Sequence, residues 1–476
     1  MVFASPVFLF LFLPATIVAY FVLPARARNA VLLAASLAFY TWGEARYVPL
    51  VLGSVAFNWW MGLAIAAASA PGPRRLRLGI AVAGNLAVLA VFKYANFAVA
   101  NIDAIAPVFG IAPVALYAIP LPLGISFFTF HAISYVVDVY KRTASAQRSV
   151  RDFALYILLF PQLIAGPIIR YRDIATQLVA RDPNADGFAY GVRRFVLGLG
   201  KKLLIANTLG QTADAIFALP GGELAAPAAW LGIACYTLQI YFDFSGYSDM
   251  AIGLMRMFGF RVLENFDYQY IARSVREFWR RWHISLSNWF RDYVYVPLGG
   301  NRAGTRRAYA NLAIVFLLCG LWHGASWTFV LWGAWHGLFL IVERAGLARP
   351  LERHRIVAHA YTLAAVMGGW VLFRCDNLAH AADYFRALGG LSVADPSVHP
   401  LGEYANRLLL VTLATAIVFA TPVASRVAAW RERAVRWPRA QALAITADGV
   451  WIAAVFVAAS AMLAAGTYNP FIYFRF

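Results

Sequence analysis

Apolar runs about 20 residues long recur along this chain, and they decide its fold class. A run of that length crosses the hydrocarbon core as a helix, whereas a membrane strand is an alternating segment of about ten residues. Composition agrees. Of the 476 residues, 61% are hydrophobic and 13% charged, against about 45–50% and about 25% in ordinary soluble chains. The expected fold is all-α: a polytopic integral membrane protein, one domain over residues 1–476, with about 11 transmembrane helices plus one or two re-entrant segments. The net charge of +18 does not call for nucleic acid. Surplus arginine in such a protein collects in cytoplasmic loops, so the partner it implies is the lipid bilayer. Cys235, Cys319 and Cys375 are isolated, with no metal-ligand spacing, and Cys235 and Cys319 read as packing residues inside spans.

Loop charge orients the spans. The first 24 residues are apolar without a basic n-region, so no cleaved signal peptide is expected, and Arg26 and Arg28 follow the span, which puts the N-terminus outside. Spans near 29–41, 47–70, 78–99 and 118–140 follow, with the basic segment 71–77 read as a cytoplasmic loop. The pattern then breaks. Residues 153–169 are apolar but short, hold Pro161 and Pro167, and have basic residues on both sides. A single crossing cannot have cytoplasmic flanks at both ends, so this segment reads as re-entrant or as a buried broken helix. Further spans are expected near 203–219, 227–260, 309–322, 326–343, 357–374, 407–424 and 445–466. Asp243, Ser245 and Asp249 fall at or near membrane depth.

The chemistry concentrates between Arg273 and Trp335. Its first part, FWRRWHISLSNWFRDYVYVPLGG (Phe278 to Gly300), is cationic and rich in tryptophan; its second, LCGLWHGASWTFVLWGAWHG (Leu318 to Gly337), is almost wholly apolar with a histidine inside it. Arg276, Arg280, His283, Ser287 and Arg291 recur at spacings of 4, 3, 4 and 4, so one continuous helix would carry them as a polar stripe beside an aromatic face. Two readings of that helix stand together. It can lie in the membrane interface with its arginines on lipid phosphates, or it can line the mouth of a site for an anionic ligand such as a nucleotide-bearing coenzyme.

An ionisable residue at membrane depth is a functional candidate by default, which singles out His323, flanked by Trp322 and Gly324. A buried neutral imidazole suits general-base work, and equally suits a core histidine bonded to a carbonyl. His336 has the same local sequence, Trp-His-Gly. On one unbroken helix the two would lie roughly 220° apart around the axis, so only a break at Gly324 or Gly333 would let them share a site. His131 reads as structural. His354, His359, His380 and His399 show no constellation, and the chain has no nucleophile elbow, phosphate loop or zinc-protease motif.

Several stretches resemble the membrane-bound O-acyltransferase family, most closely its bacterial alginate O-acetyltransferase branch. They are PLGISFFTFHAISYVVDVY (Pro122 to Tyr140), FPQLIAGPIIRY (Phe160 to Tyr171), YFDFSGYSDMAIG (Tyr241 to Gly253), the two stretches above, and the tail PFIYFRF (Pro470 to Phe476). The resemblance covers essentially the whole chain and implies that His323 is the catalytic histidine. It also implies that His283, 40 positions earlier, is the second polar site residue. Arg276, Arg280 and Ser287 are then the donor-side binding residues. It implies a fold of helices ringed around a central funnel and tunnel, in the bacterial inner membrane. The donor would be cytoplasmic acetyl-CoA, with no resident cofactor and no metal. The acceptor would be an exported polysaccharide such as alginate, reached directly or through periplasmic acetyltransferase partners. Two other functions fit parts of the chain. A small-solute transporter would use Asp243, Asp249 and Lys93, though the halves show no repeat. A non-catalytic scaffold in a secretion complex would tolerate loss of both histidines.

Overall fold

A computed structural model describes residues 2–114, 118–302, 304–423, 425–427, 438–466 and 468. The motif Pro470 to Phe476 lies outside the described residues. Helices account for the regular structure, and no strand occurs among the described residues. The chain divides into two compact units, Met1–Val192 with Ala251–Leu263, and Arg193–Met250 with Glu264–Phe476.

The first unit contains α1 (Leu13–Val22), α2 (Arg28–Glu44), α3 (Val48–Ala67), α4 (Pro71–Ile105), α5 (Ile125–Lys141), α6 (Val150–Leu158), α7 (Phe160–Leu163) and α8 (Tyr171–Val179). The basic segment 71–77 is not a loop. It forms the first turns of α4, which starts at Pro71, where a missing N–H costs nothing. Asn58 of α3 and Asn85 of α4 exchange amide hydrogen bonds of 3.0 and 2.6 Å inside this unit. Such bonds join apolar helices where no water can serve. Residues 153–169 form a buried broken helix, one of the two readings their flanks allow. Ser149 caps α6, the chain turns out at Leu159, α7 lasts one turn, and every residue from 153 to 169 is buried. Pro161 explains the break, since it has no N–H and its ring would collide with the carbonyl one turn back. Phe3, Phe8, Phe12 and Phe39 close around Phe160 at ring distances of 5.4–6.5 Å.

The second unit holds the stretch from Arg273 to Trp335. Before it, α9 (Ala185–Gly200) runs through a π-helical turn, Lys201–Ala206, into α10 (Asn207–Phe217), and α11 (Ala226–Met257) packs beside them. Asp243 pairs with Lys202 at 2.7 Å, and Asp249 with Lys201 at 2.6 Å and Arg194 at 2.8 Å. These acids, read from sequence as candidates for a solute path, neutralise cations of the adjoining helix. Then come α12 (Val275–Arg281), α13 (Ile284–Phe290), α14 (Thr305–His323), α15 (Trp327–Val342), α16 (Ala348–Arg353), α17 (Arg355–Arg374), α18 (Leu378–Leu388), α19 (Leu401–Tyr404), α20 (Arg407–Phe419) and α21 (Pro438–Ala464).

Among the described residues, four stretches of helix are long and apolar enough to cross a membrane: Ala25–Ala67, Pro71–Phe109, Arg355–Arg374 and Ala442–Ala464. Other expected spans are shorter or less apolar. The helix α15 has 16 residues, and α11 carries Asp243, Asp249 and Arg256.

Candidate functional site

The site grows from a helical hairpin. Residues 305–323 form α14, which ends at His323 because Gly324 is extended (φ −161°, ψ 150°), and Trp327 starts α15. The two helices then touch through glycine. A Cβ on Gly320 would lie 2.3 Å from the Phe329 carbonyl oxygen, and one on Gly333 would lie 2.3 Å from that of Phe316. No other residue allows backbones that close. The break at Gly324 also removes the condition under which His323 and His336 would face apart.

His323 is 4% exposed. Three aromatic rings meet its imidazole edge to face: Trp322 at 4.8 Å, Trp332 at 4.8 Å and Phe373 of α17 at 5.2 Å. His336 touches the same Trp332 ring at 5.1 Å, and its Nδ1 accepts a hydrogen bond from Trp279 Nε1 at 3.3 Å. The two histidines thus share one aromatic cluster.

The stripe from Arg276 to Arg291 is not one helix. Trp282 is extended and His283 sits in the left-handed region (φ 43°, ψ 55°), so the chain breaks between α12 and α13. The break sends the stripe in two directions. Arg276 and Arg280 stay exposed, while His283 turns inward, fully buried. Its ring lies edge-on to Phe244 at 4.7 Å and 6.3 Å from Trp322, the neighbour of His323. The fold therefore places His283 and His323 in contact with the same tryptophan. Ser287 lies elsewhere, its hydroxyl donating to the Trp279 carbonyl at 3.1 Å.

Asn265 controls His283, and no motif in the sequence marks it. Its Oδ1 accepts from the Ser285 N–H at 3.1 Å and the Ser285 hydroxyl at 2.9 Å, while its Nδ2 donates to Ser248 at 3.1 Å. The amide orientation is thereby set. His283 Nδ1, 3.2 Å from that same Oδ1, must donate to it. His283 lies outside the long apolar helices, and burial pushes its imidazole down to about 3. A neutral ring with its proton on Nδ1 presents Nε2 as a bare acceptor. That nitrogen is buried and has no hydrogen-bond partner among the described residues.

Arg276 and Arg280 line a cleft of about 950 Å³, together with Arg273, Arg281, Arg344 and Arg355. Carboxylates line it as well, but two of them are occupied by Arg281, which pairs with Asp267 at 2.9 Å and Glu277 at 3.0 Å. A third, Glu343, accepts from the N–H groups of Val275 at 2.6 Å and Arg276 at 3.1 Å. Arg276, Arg280 and Arg355 make no ion pair among the described residues. Six arginines and four carboxylates, the fourth being Glu352, therefore line the cleft, and guanidinium groups in such a surplus suit an anion with several oxygens.

Comparison with known proteins now decides the family. Over its full length the chain is 45% identical to the probable alginate O-acetylase AlgI of Pseudomonas putida, covering 100% of both chains. Residues 123–349 match MBOAT, the membrane-bound O-acyltransferase family. The chain belongs to the membrane-bound O-acyltransferase family. This O-acyltransferase sits in the branch of the alginate O-acetylases: that of Pseudomonas aeruginosa is 47% identical over 82% of this chain and 75% of its own. A peptidoglycan O-acetyltransferase of Helicobacter pylori is 35% identical over 89% and 86%. The family and the apolar helices make this O-acyltransferase a multi-pass membrane protein. Its matched region holds His283, His323, Arg276 and Arg280.

Proposed function

We propose that this enzyme moves an acetyl group from cytoplasmic acetyl-CoA to an exported polysaccharide, alginate being the acceptor its relatives' names suggest, with His323 as the catalytic base. One observation carries the reading. His323 ends a helix broken at Gly324 and is walled by Trp322, Trp332 and Phe373, in the unit that also holds an arginine-lined cleft. In the proposed step an acceptor hydroxyl gives its proton to His323 and its oxygen attacks the acetyl carbonyl carbon. The tetrahedral intermediate collapses with loss of the C–S bond, and the departing thiolate takes the proton from His323. No net proton is consumed.

The tautomer of His283 narrows its part. Nε2 has no proton to give, so it does not polarise the thioester carbonyl; it accepts a hydrogen bond from donor or acceptor and orients it. Arg276 and Arg280 hold the donor's phosphates in the cleft. The chain works as one domain in the bacterial inner membrane, with about 11 spans around a funnel and tunnel. Periplasmic acetyltransferase partners either receive the acetyl group or assist its transfer to the polymer.

Mass analysis of exopolysaccharide from cells with and without the enzyme tests the reading, and loss of O-acetyl groups in its absence is the expected result. Unchanged acetylation would reject it. For the donor site, Arg276→Ala combined with Arg280→Ala is expected to weaken CoA binding about tenfold or more, since each charged hydrogen bond contributes about 1.5–3 kcal/mol. Titration calorimetry in low and high salt reads this, and the gap between variant and wild type should narrow as salt screens the arginines.

A further inference from the structure

The reaction proposed above leaves the second Trp-His-Gly without a task, and Glu343 as well. Both residues hold α12. His336 Nδ1 accepts from Trp279 Nε1 at 3.3 Å. Seven residues on, about two helical turns, the Glu343 carboxylate accepts from the N–H groups of Val275 and Arg276. Ser274 Oγ accepts the next, from Glu277, at 3.0 Å. The first N–H groups of a helix have no carbonyl of their own to bond; in α12 the first two are satisfied by a carboxylate from the far end of the histidine hairpin. Further back along α15, Trp332 meets both His323 and His336. A helix of two turns with a break behind it does not hold its own shape in isolation, so its direction depends on attachments to its neighbours, and these two tie its start and its middle to the histidine hairpin.

We infer that Glu343 and His336 are positioning residues for the donor. They anchor α12 to α15, so that Arg276 and Arg280, one turn apart on α12, stay aimed into the cleft while α15 walls His323 at Trp332. This rests on the donor-site reading above. Glu343 is suited to the role because the N–H it holds at 3.1 Å belongs to Arg276 itself. A shift of that bond moves the base of the arginine side chain.

The test uses the full chain purified in detergent, with CoA as the binding probe and acetyl-CoA in initial-rate assays. Glu343→Gln keeps the shape and one acceptor oxygen but turns an NH2 group against a backbone N–H. It is expected to raise the CoA Kd and the acetyl-CoA KM about five- to tenfold, a fraction of what a full charged hydrogen bond contributes because the contact acts on the donor through α12, with kcat within about twofold. Glu343→Asp should recover part of the affinity. In the Arg276→Ala, Arg280→Ala background the same Gln substitution should add less than about twofold, because residues acting through one contact are not additive. A wild-type Kd for Glu343→Gln overturns the proposal, and so does an effect that multiplies in full with the arginine substitutions. If the Gln variant does not accumulate, Glu343→Asp and His336→Phe, which keeps a ring but gives Trp279 no acceptor, carry the same cycle under the same criteria. An unchanged Kd in the arginine variant rejects the donor-site reading and this proposal together; an unchanged Kd in the Glu343 variant alone rejects only this one.

Discussion

Alanine at His323 is expected to lower acetyl transfer by at least about 10²-fold, the lower end of what a positioned general base contributes. The loss should fall on kcat. The arginine-lined cleft, proposed for the donor, is bounded by the segment before α12, by α12, α14, α15, α16 and α17 and by the loops between them, and His323 is not among its lining residues. CoA affinity should therefore stay within about twofold while turnover fails, the pattern of an interaction made only in the transition state. Alanine leaves a void between Trp322, Trp332 and Phe373, so membrane accumulation and solubilised thermal stability need to be measured alongside. His323→Gln fills more of that space and should be equally inactive. A His323→Ala enzyme that accumulates normally and acetylates the polymer as the wild type does would remove this residue from the chemistry. His336 offers the contrast within the same aromatic cluster, since its substitution should act on donor affinity.

The second large effect is structural. Gly333→Ala is expected to abolish activity by preventing α14 and α15 from closing. The added Cβ would stand 2.3 Å from the Phe316 carbonyl oxygen and 3.3 Å from the Gly320 Cα. These are backbone atoms and cannot swing aside as a side-chain tip would. The hairpin must open instead, which pulls Trp332 from His323. Overpacking of this kind costs about 1–3 kcal/mol and more when backbone has to move. Gly320→Ala, aimed at the Phe329 carbonyl from the other helix, should do the same. Gly79→Ala in α4 is the control. Nothing lies within 4 Å of a Cβ there, and alanine is the better helix former. Fluorescence-detected size exclusion with a melting curve separates the cases. A Gly333→Ala protein with wild-type melting and activity would show that the hairpin tolerates a wider gap than its carbonyl contacts imply.

The all-helical class was legible because hydrophobic runs of helix length admit one solution in lipid, where every backbone polar group must bond within its own segment. The broken helix at 153–169 was legible for a related reason: proline and basic flanks are local signals, and both act locally. His323 stood out in the sequence as an ionisable residue within an apolar segment, and the family resemblance favours it over His336. The spacing of Arg276, Arg280, His283, Ser287 and Arg291 misled in one respect. A period of three to four residues describes a stripe only while the helix continues, and spacing says nothing of the left-handed turn at His283.

What the sequence alone determined is the solvent this chain is built for, since apolar length and charge placement are properties of the chain itself. The tertiary structure decided the rest. It turned His283 inward against Trp322 while leaving Arg276 and Arg280 in the cleft, set the His283 proton through Asn265, and brought Glu343 back to the start of α12. Asn265 lies 18 positions from His283 and Glu343 lies 68 from Val275. Contacts across such separations depend on how helices pack, and no periodicity within one segment encodes the angle at which another segment returns.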